Sequence, residues 1–204
     1  LTEGADASQG RLVDFMAGGR PLKDVIIDRL KTEIEKEFPA HTTAAARTSL
    51  EADLEQQAQF MQQSAEGFIA RNGDFNELDE YINNRAPNYF LLTAPAGNGK
   101  TMLLANYTNR LIQAGHHVYT RFCGASDMSC EAYSLWKSIF DEAGVECPSS
   151  PDKLKTELGK ALETVAKQGA CVIIIDAVDQ ITDGLEMLRW LPYNTPEGLK
   201  MIIS

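Results

Sequence analysis

The amino-acid sequence predicts an α/β fold, with a parallel sheet between two layers of helices. Three observations predict it. Residues 89–92, 171–175 and 199–203 are short apolar runs, interrupted only by Lys200, as strands covered on both faces require. Segments with apolar residues at helical spacing separate these runs. Glycine, proline and hydroxyl-bearing residues mark the joints.

Residues 1–20 are polar and end in Gly18-Gly19-Arg20, which reads as a linker or the tail of an upstream domain. Pro21 suits the first turn of a helix that carries Val25, Ile26, Leu30, Ile34 and Phe38 on one face and stops at Pro39. A second helix is expected over residues 43–64. Its apolar positions (Leu50, Leu54, Phe60, Met61) are sparse, so it is expected to be solvated and to lie across a neighbouring domain. Residues 21–66 thus form a helical connector, and 67–204 the main domain. Phe68, Ile69, Ala70 and Arg71 read as a short extended segment, and Asp74 as the cap of a helix over 75–84.

Beyond Pro87 strands and helices alternate. After the strand at 89–92 a helix is expected over 100–114, stopped by Gly115. A strand follows at 118–122, with His116 and His117 solvated at the turn before it. Helices at 131–143 and 151–168 are capped near Ser129 and Ser150. The strand at 171–175 precedes a short helix over 182–189, and the strand at 199–203 closes the alternation. Such an order implies parallel strands joined by right-handed crossovers.

Composition narrows the function. The 204 residues carry a net charge of −10, which disfavours non-specific nucleic-acid binding. No apolar run reaches the roughly 18–20 residues that cross a bilayer. The first twenty residues hold no signal-peptide core. The chain opens on Leu1, which suggests a piece of a longer protein. Cys123, Cys130, Cys147 and Cys171 show no metal-binding spacing and read as reduced thiols of a cytoplasmic protein.

The chemistry concentrates in Ala94-Pro95-Ala96-Gly97-Asn98-Gly99-Lys100-Thr101, followed by Met102. Gly97 and Gly99 permit backbone angles and a close approach that side chains would block. Successive N–H groups then line one concavity that accepts phosphate oxygens. The helix opening at Lys100 adds its positive end. Lys100 is expected to reach the β- and γ-phosphates of ATP, and Thr101 to hold Mg²⁺. The pattern, between a buried strand and a helix, is that of a P-loop NTPase. Asp176 ends the apolar strand at 171–175, where a carboxylate holds the metal; helix capping is its structural alternative. Asp179 is a candidate general base, or else a cap for the helix near 182. Gln180 can orient a water but cannot remove a proton.

Residues 68–71, the loop, Asp176-Ala177-Val178-Asp179-Gln180 and the stretch from Trp190-Leu191-Pro192 through Ser204 together resemble the STAND class of signalling NTPases. The likeness is to the NACHT group, especially nephrocystin-like and telomerase-associated-protein-like members, and extends to Asp28-Arg29-Leu30 through Phe38-Pro39. The resemblance implies an ASCE-type order, with a Leu199–Ser204 strand between the loop strand and the Asp176 strand. It also implies a domain incomplete at its C-terminal end. Phe68, Ile69 and Arg71 would lie beside the adenine, and the strand end at Ser204 would approach the γ-phosphate. It further implies a switch: an ADP-bound form converts to an ATP-bound form that oligomerises with its own kind. An effector upstream and a repeat or sensor domain downstream would share the chain. Glutamine stands at 180 where NACHT proteins often carry glutamate, so any ATP hydrolysis is expected to be slow.

Three functions compete. The first is a Mg-dependent ATP/ADP-binding regulatory module, with ATP favoured over GTP because no Asn-Lys-x-Asp guanine-reading motif occurs. The second is a small-molecule kinase, which needs an arginine-rich lid; only Arg189 follows Asp176. The third is a degenerate loop used as an interaction scaffold without hydrolysis.

Overall fold

The computed structural model describes residues 16–17, 20–21, 25–30, 32, 48–69 and 72–204. The chain forms two compact units, Leu1–Ala46 and Arg47–Ser204. In the first, β1 (Met16–Ala17) pairs antiparallel with β2 (Arg20–Pro21), and residues 25–30 are helical (α1). Pro21 therefore belongs to a strand instead of opening a helix. Its missing N–H is tolerated in a two-stranded ribbon, where each strand has an unpaired edge. Of the expected continuation to Phe38 only residue 32 is described, and it is helical; the rest of 1–20 lies outside the described residues.

The second unit opens with α2 (Ser49–Ala65). Thr48 and Glu51 close a reciprocal capping box: Glu51 N–H donates to Thr48 Oγ1 at 3.2 Å and Thr48 N–H to Glu51 Oε2 at 2.9 Å. That box fixes the start at Ser49. Helix α3 (Asn72–Asn83) begins before Asp74, which therefore lies inside the helix and is not its cap.

Then come β3 (Tyr89–Leu91), α4 (Lys100–Gln113), β4 (His117–Phe122), α5 (Ala132–Glu142), α6 (Pro151–Gln168), β5 (Cys171–Asp176), α7 (Gly184–Met187) and β6 (Leu199–Ile203). Ser150 caps α6 by accepting from Lys153 N–H at 3.3 Å, with Pro151 in the first turn. Ser129 does not cap α5. It sits in a 3₁₀ turn, and the N–H of Ala132 instead donates to Asp183 Oδ1 at 3.1 Å, a partner 51 residues away.

The four long-range strands are all parallel, in the order β3-β6-β5-β4. As the resemblance implies, the last strand is inserted between the loop strand and the Asp176 strand. Side chains alternate across this sheet with period two. Ile173, Ile175, Met201 and Ile203 face α5 and α6, packing on Trp136, Ile139, Leu158 and Leu162. Val172, Ile174 and Ile202 face α3 and α4, packing on Leu78, Leu103, Leu104 and Tyr107. Each such side chain withdrawn from water contributes about 1.5–3 kcal/mol before entropy is charged against it.

The strand at 89–92 departs from the expectation of burial on both faces. β3 is the edge of the described sheet, and Leu91 is 62 % exposed. The second helix departs too. Although poor in apolar residues, α2 is not simply solvated: its Asp53 and Gln57 are buried. Gln57 takes the part of a missing strand at the free edge of β4. Its Oε1 accepts from Phe122 N–H at 2.8 Å, and its Nε2 donates to Phe122 O at 3.2 Å.

Candidate nucleotide site

The parallel sheet sends β3 into the glycine loop and β5 into Asp176 at the same carboxyl edge. Gly97 (φ 79°) and Gly99 (φ 77°) are both left-handed, the region that costs a Cβ-bearing residue energy. A Cβ built on Gly97 would meet nothing within 4 Å, so it is the backbone angle that asks for glycine, together with the open space above it. The loop folds on itself through Asn98 N–H to Pro95 O at 3.3 Å and joins α4 through Leu103 N–H to Gly99 O at 2.9 Å. Lys100 Nζ donates to the Ala94 carbonyl at 2.9 Å, so the ammonium lies across the loop. A cleft of about 330 Å³ is lined by Gly97, Asn98, Gly99, Lys100, Thr101 and Met102, and by Ser64 from α2.

Asp176 continues the alternation of Val172 and Ile174, which puts its side chain on the α4 face of the sheet. Because α4 starts from the loop, its first turn, with Lys100 and Thr101, stands at that same edge and face. Asp176 is 1 % exposed, and neither carboxylate oxygen has a hydrogen-bond partner. Beside it, Ser204 continues the ladder of β6: its N–H donates to Ile175 O at 2.9 Å, and its O accepts from Val178 N–H at 3.0 Å. The Ser204 hydroxyl is also buried without a partner.

Two orphaned carboxylate oxygens are what a cation would satisfy. Mg²⁺ in such a place rests on one or two carboxylates, a hydroxyl, waters and substrate phosphates, so the donor set of Asp176 and Thr101 fits. No cluster of three or more His, Cys, Asp or Glu able to hold a metal exists among the described residues.

Asp179 stands on a 3₁₀ turn, exposed, with Gln180 Nε2 donating to its Oδ2 at 3.3 Å. It does not cap α7, whose N-cap is Asp183. Phe68 packs on Phe75, ring centroids 5.5 Å apart, at the rim of the α3/α4 core. Ile69 is 85 % exposed, and Arg71 lies outside the described residues. Arg189 is a surface residue bound to Glu186 at 3.0 Å.

Sequence reasoning named the end of the 199–203 strand but not the Ser204 hydroxyl. It missed Ser64 altogether, since a serine on a weakly patterned helix carries no signal. Burial pushes the Cys123 thiol up to about 12, with the negative charges of Asp176 and Asp179 adding to the shift. Cys123 N–H donates to Asp176 O at 3.0 Å, which ties the end of β4 to the end of β5. A larger cleft of about 740 Å³, lined by Arg85, His116, Thr195 and Lys200, sits at the opposite edge, where β5 and β6 begin. Size does not make it the nucleotide site, because ligands of open α/β sheets gather at the carboxyl ends of the strands.

Strand order, glycine loop and strand-end acid define a P-loop nucleotide-binding fold. A family model described as an AAA domain matches residues 84–203, more than half of the chain. The chain belongs to that family, and is thus a P-loop module that binds nucleotide. No curated protein matches it.

Proposed function

We propose that this chain is the Mg-dependent ATP/ADP-binding module of a STAND-type signalling or defence protein, in which it acts as an oligomerisation switch. The observation that carries the metal-nucleotide part is the buried carboxylate of Asp176, both oxygens unpartnered, on the face and edge where the glycine loop opens α4. The N–H groups of the loop and the positive end of α4 bind phosphate oxygens. The Lys100 ammonium neutralises the terminal phosphates. Thr101 and Asp176 hold Mg²⁺, which when bound offsets the negative charge of the phosphates. Asp179 is the candidate base for a slow hydrolysis. The switch itself rests on the flanking segments that resemble STAND proteins. In it, ATP favours self-association, and an effector and a sensor lie elsewhere in the same protein.

Titration calorimetry with Mg-ATP on the chain and on Lys100→Ala tests the site. Binding is expected to weaken at least about 100-fold in the variant, as loss of a buried charge–phosphate contact implies. Equal binding by both proteins would sink the assignment. Particle mass by light scattering with Mg-ATP against Mg-ADP tests the switch, and identical masses in the full-length protein overturn it.

A second reading, a scaffold that binds nucleotide without hydrolysis, is favoured by one observation. Asp179 is exposed and engaged with Gln180. Single-turnover release of γ-phosphate in the full-length protein separates the two.

A further inference from the structure

Helix α2 is held to the sheet mainly by polar groups. Gln57 satisfies both backbone groups of Phe122 at the free edge of β4, and its Nε2 also donates to Ser126 Oγ at 2.9 Å. Asp53 bonds the Ser126 hydroxyl and lies 3.6 Å from Arg121 Nε. Arg121 is held in turn by Ser138 Oγ at 2.6 Å and Glu142 at 2.8 Å. Phe60 adds one ring contact to Phe122, centroids 5.3 Å apart. At the far end of the helix, Asn106 Nδ2 donates to Ala65 O at 3.3 Å and to Met102 O at 2.8 Å. That bond fastens the last turn of α2 to α4 just behind the glycine loop. It also brings Ser64 into the lining of the cleft formed by Gly97 to Met102.

The cleft is therefore completed by a residue from outside the loop and its helix. A buried ionic and amide network is directional: its bonds form together at one register of α2 and are lost together when the helix shifts. A ligand that touches Ser64 binds better to the docked helix than to a displaced one. By linkage it must then hold the helix down by the same free energy.

We propose that Ser64 contacts the bound nucleotide, and that Gln57 and Asp53 are positioning residues that deliver it, so that α2 docking and nucleotide binding form one linked equilibrium. This rests on the reading of the glycine loop as a nucleotide site. It adds that the helix leading into the domain responds to occupancy.

The test uses the 204-residue chain as it stands. Amide hydrogen exchange is followed across residues 49–65 with and without saturating Mg-ADP, and Mg-ADP affinity is measured by calorimetry. In the wild type, saturation is expected to slow exchange of α2 by about five-fold or more, the lower end of ordinary coupling. Gln57→Ala leaves the Phe122 N–H without its partner, while the Phe122 carbonyl keeps the Ala125 N–H at 3.1 Å. The variant is expected to speed α2 exchange and weaken Mg-ADP binding by about five-fold or more. Saturating Mg-ADP should then restore the protection, which a merely structural role would not produce. Ser64→Ala is expected to weaken binding while leaving nucleotide-free exchange of α2 unchanged.

Unchanged α2 exchange in the saturated wild type overturns the linkage, and needs no variant that might misfold. A Gln57→Ala protein with a loosened helix and an unaltered Kd overturns it as well. Unaltered binding by Ser64→Ala removes the contact. Failure of the wild type to bind Mg-ADP at all sinks the reading of the loop itself, and so is distinct from each of these.

Discussion

A carboxylate with 1 % exposure and no hydrogen bond to either oxygen opposes folding, because removing such a group from water without a partner is costly. Asp176 is followed by Ala177 at φ 57°, the only left-handed non-glycine residue among those described, so unfavourable terms sit side by side at one strand end. Such features persist where function needs them. Asp176→Asn removes the charge and keeps the shape. It is expected to raise the stability of the nucleotide-free protein by about 1 kcal/mol or more, at the cost of the site. Thermal unfolding checks both halves. The variant's melting temperature should rise in buffer, and Mg²⁺ should no longer strengthen the shift produced by ATP. A variant less stable than the wild type in buffer would show that the carboxylate is satisfied by another route.

Elements with local signals were the legible ones. Ser150-Pro151 names the start of α6, and Gly115 after α4 marks a stop at φ 86°. The helices themselves were legible even where distant partners hold them, since 131–143 was expected where α5 spans Ala132–Glu142 and 43–64 where α2 spans Ser49–Ala65, but those partners were not. The N-terminus of α5 is satisfied by Asp183, and α2 is fixed by Phe122 and Ser126, none of which a local pattern of apolar residues can reveal. Two glycines illustrate the same divide. Gly159 lies within α6, and a Cβ there would only touch Pro192 at 3.6 Å. Gly159→Ala is expected to stabilise by about 0.5–1 kcal/mol, since alanine loses less backbone freedom in a helix. Gly184 opens α7 in a region of ordinary backbone angle, yet a Cβ there would stand 1.7 Å from Val178 O and 2.7 Å from Ile181 Cγ1. Gly184→Ala must push the turn after Asp176 aside, and is expected to cost about 1–3 kcal/mol. Urea midpoints of the two variants should move in opposite directions; a shift of the same sign would contradict this packing.

At the scale of the molecule, the parallel sheet was legible because β5 and β6 are apolar at nearly every position and bury both faces. The exposed side of β3 was not, because four apolar letters do not say whether a strand is central or at an edge. The Asp176 strand could be recognised from its sequence, whereas the α4 face of its carboxylate emerges only from the alternation of Val172 and Ile174 in the folded sheet. Burying that sheet also sets an alkaline limit on stability. Cys171 at the start of β5 is pushed up to about 11, and Cys123 after β4 to about 12, both chiefly by desolvation, against 9.0 for an ordinary thiol. Below pH 9 both thiols hold their proton folded or unfolded, and their contribution to stability is fully present. Between 9 and about 11–12 the unfolded chain releases protons that the native state keeps, so the unfolded state gains. Each thiol then removes about 1.4 kcal/mol per pH unit across that window. Urea midpoints measured under reducing conditions should be flat from pH 7.5 to 9 and fall above it. Self-repulsion of a chain already at −10 pulls the same way, so the decisive comparison is Cys171→Val, which lacks one of the two thiols. Its midpoint should fall less steeply above pH 9 than that of the wild type. Parallel curves would mean that the buried thiol does not set the alkaline limit.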